Sequence, residues 1–115
     1  MPLNDTLLNI GVAAMQTAAT HMSLHTATPD ATGSNASAAA RKAITWVTAA
    51  NGDMVATVDL AFTGGAANGA VTHVGFWSAL TSGTFYGYLP VTGDSTFNAA
   101  GEYTVTGVTI TGTAT

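Results

Sequence analysis

Residues 71–91 read Val-Thr-His-Val-Gly-Phe-Trp-Ser-Ala-Leu-Thr-Ser-Gly-Thr-Phe-Tyr-Gly-Tyr-Leu-Pro-Val. Val71 to Ala79 and Thr84 to Val91 are rich in β-branched and aromatic residues, and Thr81-Ser82-Gly83 is short enough to join them as a hairpin. Pro90 has no N–H to donate to a ladder, so its strand is expected at a sheet edge. Val74 and Phe76 share one face and Trp77 falls on the other. On a sheet covered from one side, Phe76 and Trp77 cannot both be core residues. Phe76 is expected in the interior and Trp77 at a contact with the helix or a neighbouring subunit. Gly75 and Gly87 leave room for rings or backbone to pack close.

The same alternation extends outward from this hairpin. In Thr20 to Thr26, Met22 and Leu24 oppose His21, Ser23 and His25. Ala43 to Thr48 reads as a strand with Ile44 and Trp46 on one face, and Asn51-Gly52 is a tight-turn signal. Met54 to Phe62 reads as one strand, with Met54, Ala56, Val58, Leu60 and Phe62 inward against Thr57 and Asp59. Glu102 to Ile110 is the last strand. Loops are expected at Thr28 to Ser37, where Pro29, Asp30, Gly33, Ser34 and Asn35 supply turn chemistry, and at Gly64 to Gly69. The longer connection Thr92 to Gly101 is expected to carry the chain between sheets.

Turn signals about every ten residues suit a sandwich. Ahead of the strands, Asn4 or Asp5 caps a helix whose stripe Leu3, Leu7, Ile10 and Ala14 is expected to lie on a sheet. Gly11 weakens that helix by up to ~1 kcal/mol relative to alanine. The expected fold is mainly β: a small antiparallel β-sandwich with one N-terminal α-helix. It forms a single domain over 1–115, with the helix at about 5–18 and the sandwich at about 20–111.

Charge is scarce. Arg41, Lys42, Asp5, Asp30, Asp53, Asp59, Asp94 and Glu102 are the only formally charged side chains among 115 residues, 7% of the chain, against about 25% in an ordinary soluble domain. A surface of threonine, alanine, glycine, serine and asparagine dehydrates cheaply and repels identical copies weakly. This points to a component of an assembly before it points to an enzyme. Two cations and a net charge of −4 give no basic face for nucleic acid or for an anionic membrane surface. No apolar run approaches the ~20 residues of a membrane span, and Met1 to Asp5 lacks the basic start of a secretion signal. The absence of cysteine excludes disulfides, thiolate metal sites and cysteine nucleophiles.

Catalytic and metal chemistry find little support. His21 and His25 share a strand face but stand about 13 Å apart, too far to ligate one ion at ~2.1 Å from each ring nitrogen. His73 can approach one of them across a sheet, which yields two ligands at most. The carboxylates are scattered through turns, a helix start and strand ends rather than paired as general acid and base. Gly64-Gly65 lacks the lysine and following helix of a phosphate loop, and no Gly-x-Ser-x-Gly elbow occurs. The expectation is no enzyme, no cofactor and no metal. Trp46, Trp77, Tyr86 and Tyr88 are amphipathic rings that suit either a sugar platform or core and subunit packing. Trp77, Tyr86 and Tyr88, with the two cations Arg41 and Lys42, are the candidate interface residues.

Four phrases stand in order along the chain: His21 to Pro29 (HMSLHTATP), Ala40 to Trp46 (ARKAITW), Val71 to Ala79 (VTHVGFWSA) and Phe97 to Val105 (FNAAGEYTV). Together they resemble a family of small tailed-bacteriophage virion proteins of the tail-fibre-like or minor tail type. The chain departs from that pattern before Arg41, where Ser34 to Ala39 has no glycine, tyrosine or acid. The resemblance implies a virion structural protein assembled in the host bacterial cytoplasm. It implies an accessory surface component of the tail or capsid that docks on other virion proteins. Sparse charge and uncovered strand edges add the expectation that the chain associates with itself, a trimer being the expected order. Capsid decoration and host-glycan or receptor binding are the alternative roles.

Overall fold

The computed structural model describes residues 4–50, 52–56, 59–106 and 108–111. One helix, α1 (Asp5–Ala18), is followed by eight short strands: β1 (His21–His25), β2 (Lys42–Ala43), β3 (Asp53–Ala56), β4 (Leu60–Phe62), β5 (His73–Trp77), β6 (Phe85–Pro90), β7 (Tyr103–Val105) and β8 (Val108–Thr111). All pairings are antiparallel. Strands β2-β1-β5-β6 form a four-stranded sheet, while β3 pairs with β8 and β4 with β7.

The hairpin of residues 71–91 is the spine of the larger sheet. Its turn closes through the Ser78 N–H donating to the Thr84 carbonyl at 3.0 Å, with Ser82 and Gly83 in the left-handed region. Strand β6 lies at the sheet edge and ends on Pro90. A bulge between Phe76 and Trp77 brings Phe85 opposite Trp77, so both rings cover the outer face of the sheet.

Of the expected strand Ala43 to Thr48 only Ala43 lies in a strand, as the second residue of β2. The chain then crosses between layers: the Ile44 N–H reaches Thr20 O beside β1, and the Val47 N–H reaches Val55 O in β3. The expected strands Met54 to Phe62 and Glu102 to Ile110 each divide in two. Ala56 opposes Val108 and Leu60 opposes Val105, so three residues separate the ladders on one segment and two on the segment paired with it. That one-residue mismatch breaks a continuous register. Thr57 and Val58 lie outside the described residues, as does Asn51. The turn at that point is nevertheless closed by the Asp53 N–H on Ala50 O, with Gly52 at φ 74°.

The core lies between the larger sheet and the β4·β7 ladder. Met22, Leu24, Val74 and Phe76 meet Phe62, Tyr103, Val71 and Phe97 there. Trp46 stacks on Phe76 with ring centroids 6.2 Å apart and donates its indole N–H to Ala19 O. The connection after β6 does carry the chain between sheets. It is tied to the 63–71 segment by Val71 N–H on Ser95 O, Phe97 N–H on Gly69 O and Gly65 N–H on Gly101 O. Gly65 is required here because a Cβ would enter the Phe97 ring.

Helix α1 matches its expected span, and Asn4 caps it by accepting the Leu7 N–H at 2.9 Å. Its orientation is not the expected one. The helix packs on β3 through Val12, its one buried residue, while Leu7 and Ile10 are 50% and 64% exposed. Leu3 lies outside the described residues. The inward side mixes Val12 and the half-buried Leu8 with two polar residues: Asn9 accepts the Gly52 N–H at 2.9 Å and Gln16 donates to Val47 O at 2.8 Å. Backbone groups beneath the helix need partners, and a face of leucine and isoleucine would leave them unsatisfied.

Candidate functional site

The sheet is not one-sided. Ser23 and His25, expected on a polar outer face, are buried along with Met22 and Leu24, and β5 is likewise covered on both sides. The cover is the chain's own loop of residues 26–41. It is anchored by Thr26 N–H on Asn35 O and Ser37 N–H on Leu24 O, and by hydrogen bonds around Asp30, whose carboxylate accepts from the Thr32 N–H and hydroxyl. Those bonds hold the Asp30 carboxyl below its ordinary pKa.

Under this loop the side chains form a closed chain of hydrogen bonds. Ser34 offers a carbonyl, which can only accept, so His25 Nδ1 carries the proton and donates to it at 2.8 Å. Nε2 is therefore the acceptor for the Ser23 hydroxyl at 2.6 Å. Ser23 Oγ in turn accepts the Trp77 indole N–H at 2.8 Å. Gly75 makes this possible: a Cβ there would stand 2.5 Å from His25 Nε2, 2.6 Å from Ser23 Oγ and 2.8 Å from the Phe85 ring. Burial lowers the His25 pKa, and the nearby His73 and Arg41 act in the same direction, while the Ser34 carbonyl opposes them. His25 is accordingly neutral at pH 7. A serine hydroxyl on an imidazole is the first half of a nucleophile–base pair. Here, however, both groups are sealed beneath the loop and Ser23 Oγ is already occupied by an indole.

Arg41 closes the assembly. Its guanidinium carbon lies 3.5 Å from the Trp77 ring centroid, and Nη1 donates to Ala79 O at 2.9 Å and Ser82 O at 2.7 Å. One cation thus ties the loop to the tip of the central hairpin. Gly33, at φ 79°, lets the loop backbone lie against the indole, since a Cβ there would stand 2.5 Å from the Trp77 ring. Trp77, expected at a contact with the helix or another subunit, is covered instead by this loop and by Phe85, 5.0 Å away between centroids. Phe76 is interior as expected.

Of the five candidate interface residues, Arg41 and Trp77 are thus brought together. Lys42 is exposed on the edge strand β2, and Tyr86 and Tyr88 are exposed on the opposite edge strand β6. With two strands between them these edges stand about 14 Å apart. The four-ring sugar platform is not assembled, since Trp77 and Trp46 point to opposite faces and pack inside the chain. Tyr88 meets the His73 ring edge-on at 5.3 Å.

His25 and His73 are register partners, but both nitrogens of His25 are engaged. Nδ1 of His73 pairs with Thr72 Oγ1 and Nδ1 of His21 with Thr20 Oγ1, each at 2.8 Å. No group of three His, Cys, Asp or Glu with metal-binding geometry occurs among the described residues. A cleft of about 280 Å³ opens between β6 and β7, lined by Val74, Leu89, Val91, Val105 and Val108 with Asp94 and Tyr103. The Tyr103 hydroxyl donates to Asp94 O, and burial raises its pKa, with Asp94 adding to the effect. That lining offers one carboxyl and a phenol already committed to a backbone carbonyl, without a second carboxyl or a histidine.

Two features escape a reading of the residues in order. The Ser23–His25–Trp77 chain had one visible signal, Gly75 set between large residues where a neighbour must approach. The outward apolar face of α1 had none, because helical periodicity identifies a stripe without saying which way it turns.

Comparison with curated proteins returns no match. The family model described as "Podophage GP4 fiber I protein gp80" matches residues 3–113, a span that takes in all four phrases noted above. The chain therefore belongs to this phage fibre protein family, a family of virion structural components.

Proposed function

We propose that the protein is a non-enzymatic accessory component of the phage tail, assembled in the host cytoplasm, which works by associating with copies of itself and docking on other virion proteins. The observation that carries this reading is the near absence of charge, eight charged side chains in 115 residues, in a member of a fibre family. Such a surface is kept soluble by being covered rather than by repulsion. The buried Ser23–His25 pair has no access for a substrate, which supports a structural role for it. The fibre family favours the tail over decoration of the capsid lattice.

Sedimentation velocity of the isolated protein over a range of micromolar concentrations tests self-association. A discrete homo-oligomer, or reversible association, is expected; a clean monomer throughout counts against it. Mass spectrometry of purified virions and of isolated tails tests the location. A second reading, contact with a host-surface glycan, is favoured by the exposure of Tyr86 and Tyr88 on one edge strand. A glycan array probed with the protein and with Tyr86→Ala and Tyr88→Ala variants separates it from a purely architectural role.

A further inference from the structure

His25 is fully buried, whereas His21 and His73 are half-buried. Its neutral ring sits in a one-way chain of donors: Nδ1–H donates to Ser34 O, the Ser23 hydroxyl to Nε2, and the Trp77 indole to Ser23 Oγ. A second proton on the ring reverses the middle link. Both nitrogens of an imidazolium are donors, so Nε2–H then faces an oxygen that already receives the indole N–H, and the Ser23 hydroxyl loses its acceptor.

The added charge also lacks a counterion. On β5 the register partner of His25 is His73, with Tyr88 of β6 against its ring. At the end of the 26–41 loop stands Arg41, its guanidinium on Trp77. His73 and Arg41 both oppose a positive charge on His25. Asp30, the only acid in the loop, is exposed and turned to Thr32. The other neighbours are uncharged: Ser23, the Ser34 carbonyl and the Phe85 ring, 5.9 Å away between centroids. A charged His25 is therefore stabilised only by reaching water, and the layer between it and water is the loop.

That loop can move without the core. Only Pro29, Gly33 and Ala39 of its residues are buried, and none of residues 26–38 belongs to the apolar cluster on the opposite face of the sheet. It is held down by the His25–Ser34 bond, by Ser37 N–H on Leu24 O and by the contact of Gly33 with Trp77. Arg41 pins its far end to Ala79 O and Ser82 O of the hairpin. Segments with so few buried contacts open ahead of the core they cover.

We propose that the 26–41 loop is an acid-released strap: a proton taken up by His25 breaks the Ser23–His25–Trp77 chain, the loop lifts while the core stays folded, and the outer sheet face carrying Trp77 and Phe85 is uncovered. The strap works within one chain and does not rest on the assembly proposed above.

Hydrogen exchange followed by NMR on the full chain from pH 8 to 5, with rates corrected for the intrinsic effect of pH, tests this. The Ser37 amide and the Trp77 indole N–H report the strap; the Val71 and Phe97 amides report the core. Burial holds His25 below its ordinary pKa of 6.5. Strap protection is therefore expected to fall by up to about tenfold per pH unit below 6.5, with the core amides changing less than about twofold. His21→Gln and His73→Gln remove the other two histidines and should keep this dependence, while His25→Gln should abolish it. Flat protection at Ser37 and Trp77 from pH 8 to 5 overturns the proposal. So does an equal loss at Val71 and Phe97, which is global unfolding, or a dependence that vanishes in His21→Gln or His73→Gln. Should His25→Gln fail to fold, the wild-type comparison of strap and core decides by itself.

Discussion

Replacing Ser23 with alanine removes one oxygen atom from the covered face of the sheet, and the structure sets the size of the consequence. Two hydrogen bonds disappear together: the Ser23 hydroxyl to His25 Nε2 at 2.6 Å and the Trp77 indole N–H to Ser23 Oγ at 2.8 Å. His25 Nε2 is left without a donor and Trp77 Nε1 without an acceptor. His25 is fully buried and Trp77 is 8% exposed, so bulk water does not replace the missing partner. A buried polar group left unpaired costs about 1–3 kcal/mol; two of them, with some relaxation of the loop, give roughly 2–4 kcal/mol. That is a large part of the 5–15 kcal/mol typical of a domain. At about 4 °C per kcal/mol for a chain of this size, the midpoint of thermal unfolding falls by roughly 8–16 °C. Urea titration followed by tryptophan fluorescence and by far-UV circular dichroism measures the loss. Thr17→Ala, which deletes an exposed hydroxyl on the helix, serves as the control and should change stability by less than about 0.5 kcal/mol. In a Trp77→Phe background the indole N–H is already gone, so Ser23→Ala should cost about 1 kcal/mol less than in the wild type. A loss below about 0.5 kcal/mol for Ser23→Ala in the wild-type background would refute the closed hydrogen-bond chain.

Burial depresses the His25 pKa below 6.5, so the folded state binds fewer protons than the unfolded one. Its stabilising contribution is complete above pH 6.5 and is lost as pH falls through 6.5 toward the folded pKa; urea midpoints should decline between pH 6.5 and 5, and a flat profile from pH 8 to 5 would contradict a buried neutral imidazole. Gly75→Ala places a methyl group against His25, Ser23 and Phe85 and should destabilise by about 1–3 kcal/mol through overpacking, with the near-ultraviolet signal of Trp77 altered. Phe76→Ala empties a core position and should cost about 3–5 kcal/mol, which equilibrium unfolding or loss of soluble folded protein will register. Adding a chelator should leave the melting temperature unchanged, since both nitrogens of His25 are committed within the chain; a drop of several degrees reversed by one metal would show otherwise.

Features set by neighbours along the chain were legible from the residues alone. The span of α1 and its Asn4 cap, the hairpin closed at Ser82-Gly83, the edge position of Pro90 and the crossing between sheets after β6 all follow from periodicity, turn chemistry and the missing proline N–H. The four ordered phrases carried the family. Sparse charge was equally plain, since it is a property of composition. What covers each face was not legible, because that depends on segments far apart in sequence. Phe76 and Trp77 alternate as expected, yet both are buried, because Gly33, Ser34 and Arg41 return over the outer face from more than 35 residues away. The divided strands reflect a one-residue mismatch between the two paired segments that neither segment displays by itself. The helix stripe of Leu7, Ile10 and Ala14 was correct in its spacing and opposite in its direction, since unpaired backbone groups at Val47 and Gly52 draw Asn9 and Gln16 inward. Periodicity defines the faces of an element; the hydrogen-bonding needs and shape of whatever packs against it decide which face turns in.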